Sequence, residues 1–348
     1  MTVRPALLRP DNFASPARTP WGGTRILDYK RDLALPERPA IVGEAWEISV
    51  EPSLPSRLAA TGELLAEVVA RDPVAWLGAG AARRFDGQTP MLVKLLDARA
   101  PLSVQVHPRD DDPGLAPGES GKLECWVVLE ADPGARIWLG LADGVGRPEL
   151  ERALAAEDDL SRLLAWTAVG PGDVFVLPAG VPHAIGAGVT LIEPQLVRPR
   201  CRGLTYRFWD WNRRYDAAGR ESPAGTPRAL QIERALAVTD YAFPRGAAGV
   251  AALRRIPRTL EQAPGIARRR LVDGPWLIVD EWRGTGTLAL PSHDSLVGLL
   301  AVGGRTTITG ETGSIDLPCG QSAVVPTVAG RLVVAGRDTH VVATSLPR

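Results

Sequence analysis

Glycine and proline interrupt this chain so often that long uninterrupted elements have little room: 36 glycines and 31 prolines occur among 348 residues. Between these breaks the apolar residues fall in short runs. Residues 90–97, 102–107, 124–129, 135–139, 173–177 and 189–192 read as strands. Beyond about residue 241 the pattern resumes at 276–282, 286–290, 295–302, 306–309, 322–325 and 331–335. Short strands separated by turn chemistry favour an all-β sandwich or barrel over alternating β/α units.

Three stretches carry helical spacing: 63–70, 148–166 and 227–238. In the second, Glu149, Glu151 and Glu157 enrich the N-terminal half, and Leu150, Leu154, Leu160 and Leu163 form a broken apolar stripe. Such helices are suited to capping the open ends of a β-barrel. Residues 216–226 are polar and turn-rich, the best linker in the chain, so two domains are expected, 1–222 and 223–348. The halves echo each other: Gly172-x5-Pro178 in the first matches Gly320-x5-Pro326 in the second. His183 follows the first proline by five residues, whereas Arg331 holds that place in the second. A duplicated barrel in which one copy kept a metal would look like this.

Bulk properties exclude several functions. Forty basic and forty acidic residues leave no net field for holding nucleic acid or an anionic membrane. No apolar run reaches the roughly 20 residues that cross a bilayer. Residues 1–20 carry Arg4, Arg9 and Arg18 but no apolar core, unlike a secretory signal. Cys125, Cys201 and Cys319 are widely spaced and form no CxxC pair. Reduced thiols in a cytoplasm are expected, with neither a disulfide framework nor a thiolate zinc site. Monomer and homodimer are both compatible with this composition.

Histidine is used sparingly, and two of the four lie in segments with ligand character, His107 in Gln105-Val106-His107-Pro108 and His183 in Pro178-Ala179-Gly180-Val181-Pro182-His183. Between them Glu124 stands in Gly121-Lys122-Leu123-Glu124-Cys125-Trp126. Strand alternation puts Ser103, Gln105 and His107 on one face, and Glu124 with Trp126 on another. Two imidazoles and a carboxylate converging from three strands would build a site for one divalent ion, with Gln105 adding an amide oxygen. That donor set suits Zn2+, and equally Fe2+, Mn2+ or Co2+. Lys30, Lys94 and Lys122 are the only lysines, and two of them flank these segments. Trp209, Trp211, Cys125 and Cys201 sit near the same segments in sequence but read as packing residues.

These motifs resemble a known family. Gly172-x5-Pro178-x-Gly180-x2-His183 fits the second cupin motif, and the wider pattern is similar to the type I mannose-6-phosphate isomerases in their short bacterial form. The resemblance covers Trp21-Gly22-Gly23, residues 43–49, 92–98, 102–108 and 121–126, and Thr205-Tyr206-Arg207 with Asp210 and Arg213. It implies a mainly β chain of two cupin (jelly-roll) barrels with a few capping helices and one Zn2+ in the N-terminal barrel. The implied ligands are His107, Glu124 and His183, with Gln105 as a fourth. The implied catalytic arginine is Arg207. Ser103 and Lys122 match pocket positions, with Lys94 nearby. One departure stands out: residues 193–204, just before Thr205-Tyr206-Arg207, are about four longer than in the family and carry Arg198, Arg200 and Arg202. Those arginines either grip a phosphate or form a solvated loop.

The expected activity is the interconversion of mannose 6-phosphate and fructose 6-phosphate through a cis-enediol. A Lewis-acidic metal would polarise the sugar oxygens and Arg207 would face the developing charge. Lys122, Glu193 or a metal-bound water could move the proton. Ser103, Lys94, Lys122 and the 198–202 group are available for the phosphate. The rivals are a cupin oxygenase using iron at the same ligands, which predicts oxygen consumption, and a non-catalytic sugar-binding cupin, which predicts binding without turnover.

Overall fold

Strand Met91–Ala98 is buried along its whole length, which demands a neighbour on each edge and cover on both faces. In the computed structural model, which describes residues 3–217, 220–290 and 293–347, its edges are taken by Glu44–Ser49 and Val189–Leu196, both antiparallel. The full sheet runs Arg254–Arg255, Val174–Leu177, Leu123–Ala131, Val189–Leu196, Met91–Ala98, Glu44–Ser49. A second sheet runs Tyr206–Trp209, Val104–Val106, His183–Ile185, Arg136–Leu141, Leu164–Ala168. A third, eight-stranded sheet comprises mostly residues beyond 257, with Ala6–Leu7 joined to its edge strand Ser322–Val325. The chain is mainly β, as expected, and among the described residues no sheet closes on itself.

The two faces of the first sheet do different work. Leu95, Val93, Cys125, Val127 and Ile192 point one way and pack with Leu300, Val324 and Val342 of the third sheet. Their sequence neighbours point the other way, where Leu96, Trp126, Val128 and Leu191 meet Ile137, Leu139 and Ile185 of the second sheet. On this inner face the apolar residues occupy one end. Lys94, Glu193, Gln195 and Glu124, each two or four residues further along the same strands, occupy the other, and all four are buried. A period-two strand that changes from leucine to charge on one face marks where the core stops and a site begins.

Several elements differ from the sequence reading. The helix expected over 148–166 is helical only at Arg147–Ala155. Glu157 takes positive φ, 53°, which ends the helix, and the remainder becomes the 3-10 turn Leu160–Leu163 and the strand Leu164–Ala168. The helix expected at 63–70 is Leu65–Arg71, and Pro73–Arg84 follows it directly. Asp72 separates the two and caps the second by accepting a hydrogen bond from Ala75 N at 3.1 Å, with Pro73 in the first turn where its missing N–H costs nothing. The third helix is shorter than 227–238, Ile232–Val238, and Gly246–Leu253 is an additional one. Both pack on strands of the second sheet. Runs read as separate strands within 276–290 and within 295–309 are single long strands, Ile278–Leu290 and Val297–Gly310, and the run expected at 331–335 extends over Leu332–Ser345. Their glycines mark register shifts between Gly284 and Gly286 and around Gly303, so they bend strands without ending them.

The expected linker at 216–226 includes positions 218 and 219, which lie outside the described residues. No described helix is long and apolar enough to cross a membrane. All three cysteines are free, with Cys125 buried in the core.

Candidate metal centre and active-site cavity

Sheet register brings the distant motifs together. Across the second sheet, Gln105 lies opposite His183 on one side and Arg207 on the other, forming one cross-strand row. His107 follows two residues after Gln105, just past the end of Val104–Val106, and so shares its face. On the first sheet, Gln195 lies opposite Glu124, and Lys94 lies opposite both Glu193 and Trp46. The polar end of the first sheet therefore faces the row on the second.

His107, Glu124 and His183 converge there, fully buried, with one ligand atom of each within 4.8 Å of the others. His107 Nε2 is 2.7 Å from Glu124 Oε1, and His183 Nε2 is 3.5 Å from Glu124 Oε2. Each ring spends its other nitrogen on a backbone carbonyl: His107 Nδ1–H donates to Leu204 O at 2.9 Å and His183 Nδ1–H to Val181 O at 2.8 Å. A carbonyl can only accept, so both Nδ1 atoms carry the proton and both Nε2 atoms present lone pairs. Burial holds the His107 imidazolium pKa down to about 3, despite the pull of Glu124. Burial likewise lowers that of His183.

The result is two imidazole lone pairs aimed at a carboxylate. His107 Nε2, His183 Nε2 and Glu124 Oε2 are buried with no hydrogen-bond partner. Orphaned acceptors crowded together in a dry site repel unless a cation lies among them. The N, N, O donor set with backbone-anchored imidazoles is what a divalent metal requires. These residues fit such an ion.

Around them runs a polar shell. Gln195 Nε2 donates to Glu124 Oε1 and, at 2.7 Å, to Glu193 Oε2. Trp126 Nε1 donates to Glu193 Oε1 at 3.1 Å, and its ring meets His183 edge-on at 5.5 Å between centroids. Lys122 Nζ is 3.3 Å from Glu124 Oε1. Burial, with Lys94 close by, lowers the Lys122 pKa despite Glu124. Burial acts the same way on Lys94, but Glu44, Glu193 and Glu124 outweigh it and raise that ammonium. Lys94 Nζ lies 3.4 Å from Glu193 and 3.6 Å from Glu44, above the Trp46 ring. Burial, reinforced by the nearby negative Glu124, raises the Glu193 carboxyl to about 8.

A cavity of about 540 Å³ opens onto this shell. Ser103, Gln105, Lys122, Lys94, Glu193 and Arg207 all line it, together with Glu124. All nine site residues expected from the sequence thus lie at one place. One expectation is refined. Of the three arginines at 198–202, only Arg202 lines the cavity. Arg198 turns to Asp110 and to the Glu119 carbonyl, and Arg200 pairs with Asp86 at 3.0 Å. Trp209 and Trp211 stack with each other and pack into a core cluster away from the cavity. Lys30 is also absent from the cavity: it is buried against Glu47 at 2.7 Å and the Gly320 carbonyl at 2.7 Å, tying the first sheet to the third.

Sequence reasoning missed Gln195, Glu44, Trp46, Arg18 and Arg228. Gln195 and Trp46 had a usable signal, since each lies two residues from an acidic position on the same strand and face. Arg18 and Arg228 stand on irregular segments with no period to read.

Fold and site together define a mainly β protein with a buried imidazole–carboxylate centre at the mouth of a polar cavity. Residues 17–117 match the profile of the phosphomannose isomerase type I catalytic domain. The chain is 32% identical over 293 residues to the mannose-6-phosphate isomerase of Streptococcus mutans, covering 83% of each. It is 27% identical to a putative mannose-6-phosphate isomerase, YvyI, of Bacillus subtilis, over 92% of this chain and 94% of the relative. The fold is shared with a crystal structure of mannose 6-phosphate isomerase from Bacillus subtilis, with a TM-score of 0.78, 24% identity and coverage of 98% and 99% of the two chains. A putative mannosephosphate isomerase from Archaeoglobus fulgidus matches with a TM-score of 0.76 and 24% identity, over 100% of this chain and 99% of that one. The chain belongs to the type I mannose-6-phosphate isomerase family.

Proposed function

We propose that this chain is a zinc-dependent isomerase that interconverts mannose 6-phosphate and fructose 6-phosphate through a cis-enediol. The observation that carries the reading is the set of unpartnered, buried His107 Nε2, His183 Nε2 and Glu124 Oε2 at the edge of a cavity rich in cations. His107, Glu124 and His183 would hold the ion, with Gln105 beside them. When bound, it supplies Lewis acidity toward the sugar oxygens at C1 and C2.

The chain's own residues account for the remaining steps. Isomerisation removes the proton from C2 and protonates O1 to give the enediol; loss of the O2 proton and return of a proton to C1 give the ketose. Lys122 moves the carbon-bound proton, since its amine lies beside Glu124 and burial favours its neutral form. Arg207 faces the oxygen on which charge develops. Its guanidinium forms no hydrogen bond among the described residues, so its donors are free for substrate. Glu193 and Ser103 orient sugar hydroxyls, and Lys94 keeps Glu193 in place. We also propose that residues 1–222 form the unit that carries the metal centre, with Arg228 beyond that boundary completing the cavity wall, and that the chain acts in the cytoplasm on a small-molecule substrate.

The decisive experiment pairs metal analysis of the purified protein with a coupled assay on mannose 6-phosphate. One zinc per chain and turnover abolished by chelation are expected. Full activity in a metal-free preparation, or turnover dependent on molecular oxygen, would overturn the reading.

A further inference from the structure

Five arginines line the cavity, and their donors are not equally committed. Arg202 donates to Glu119 at 2.9 Å, and Arg234 donates to the Gly114 carbonyl beside Tyr206. The other three are Arg18, from the loop before Trp21-Gly22-Gly23, Arg207, from the second sheet, and Arg228, from the segment leading into Ile232–Val238. Their guanidinium groups retain unused donors. Arg18 makes no side-chain hydrogen bond or ion pair among the described residues and rests 4.8 Å from the centre of the Trp46 ring. Arg207 Nε is buried with no acceptor. Arg228 donates through Nη2 to the Arg18 carbonyl at 3.3 Å, which ties the two segments together, while its buried Nη1 has no hydrogen-bond partner.

Carboxylates balance this group only in part. Asp210 is 3.7 Å from Arg228 but is already held by Arg213 at 2.6 Å. Glu44 accepts from Trp46 Nε1 at 2.8 Å and faces Lys94. The three guanidiniums are close enough to feel one another: burial first, then Arg228 and, more weakly, Arg18 depress the Arg207 pKa against the opposing pull of Asp210 and Glu44. Guanidiniums with spare donors gathered on one wall of a cavity attract an anion to that wall. A phosphate monoester, with two negative charges and three terminal oxygens, matches the planar donor groups of Arg18 and Arg228 better than a carboxylate with one charge and two oxygens.

We infer that Arg18 and Arg228 form the phosphate subsite of the cavity, with Arg207 set between that subsite and the metal centre. Arg18 and Arg228 are then the residues that select phosphorylated over free sugars. The inference rests on the sugar-phosphate reading above and replaces the 198–202 arginines as the phosphate grip. Arg207, next to Gln105 in the cross-strand row, links this subsite to the metal centre.

The test is steady-state kinetics on mannose 6-phosphate for the wild type, Arg18→Gln, Arg228→Gln and Arg200→Gln, with inorganic phosphate as a competitive inhibitor. The two subsite variants should raise KM about tenfold or more and weaken phosphate inhibition in parallel, with kcat falling by less than about threefold. Arg200→Gln, whose partner is Asp86 outside the cavity, should match wild type. Arg18→Lys should recover part of the loss, which a folding defect would not. Unchanged KM and phosphate inhibition in both subsite variants of an active enzyme would overturn the subsite. Should the wild type not turn over mannose 6-phosphate, the isomerase reading fails separately. Calorimetric binding of inorganic phosphate to wild type and to Arg18→Gln then decides the subsite: weaker binding by the variant upholds it, and equal binding removes it.

Discussion

His107 Nε2 approaches Glu124 Oε1 to 2.7 Å while the same ring commits its Nδ1 proton to the Leu204 carbonyl. A ring anchored in this way offers the carboxylate only a lone pair. His107→Ala and His183→Ala should each yield protein with less than about a tenth of the wild-type metal content and no measurable turnover, because two remaining ligands do not hold the ion. Metal analysis of the folded variants checks this; wild-type stoichiometry in both would remove these residues from the centre.

Metal should also stabilise the fold. The ion binds only where the three ligands converge, so at a free zinc concentration 100 times Kd the native state gains about 2.7 kcal/mol. Thermal unfolding before and after chelation should show a lower Tm in the stripped protein, restored by added zinc. A Tm indifferent to chelation would show that the centre is empty in both samples.

Gln195 reaches Glu124 across the strand pair Leu123–Ala131 and Val189–Leu196 and holds Glu193 with the same amide nitrogen. Loss of a group that orients a metal-binding carboxylate usually weakens affinity about 10- to 100-fold. Gln195→Leu should therefore release zinc to a competing chelator at lower chelator concentration, with the far-ultraviolet circular dichroism unchanged.

Arg207→Ala should retain zinc yet lose about 2.7–4 kcal/mol of transition-state stabilisation, a fall of about 10²–10³ in kcat. Metal content and kcat measured on the same preparation separate this from damage to the centre. Lost zinc together with lost activity would assign Arg207 a structural part.

Lys30 and Glu47 are a buried pair, with side chains 0% and 1% exposed. Lys30→Met leaves the Glu47 carboxylate without its counter-charge and should cost about 3–5 kcal/mol in urea unfolding. Adding Glu47→Leu to the same chain should recover most of that loss. A single variant as stable as wild type would show that Glu47 is accommodated without the ammonium.

Much of the site could be read from the residues because its ligands obey local rules. Gln105 and His107 follow strand alternation, and His183 follows a Pro-Ala-Gly turn. Arg18 and Arg228 escaped because they stand on irregular segments with no period to read, and the Glu124–Gln195 contact itself, between residues 71 positions apart, depends on register that no local pattern records. Helix Pro73–Arg84 was hidden for another reason. Gly78 departs from helical geometry at φ 77°, so the apolar period breaks where the chain kinks. In the third sheet the glycines that read as strand ends are bulges, since bending and termination leave the same mark in a sequence.

Ala6–Leu7 completes the third sheet by pairing with Ser322–Val325, and Gln321 reinforces the seam with a hydrogen bond to the Leu8 carbonyl 313 positions away. Leu8 is also bridged to Leu58, but during synthesis the sheet contacts of residues 6–8 must wait until nearly the whole of the described chain has left the ribosome. Closing so large a loop is entropically slow, and until it closes the Ser322–Val325 edge remains open to strands from other molecules. Solubility during expression should hence depend on a handful of residues remote from the catalytic cavity, and trimming them should reduce yield well before it reduces specific activity.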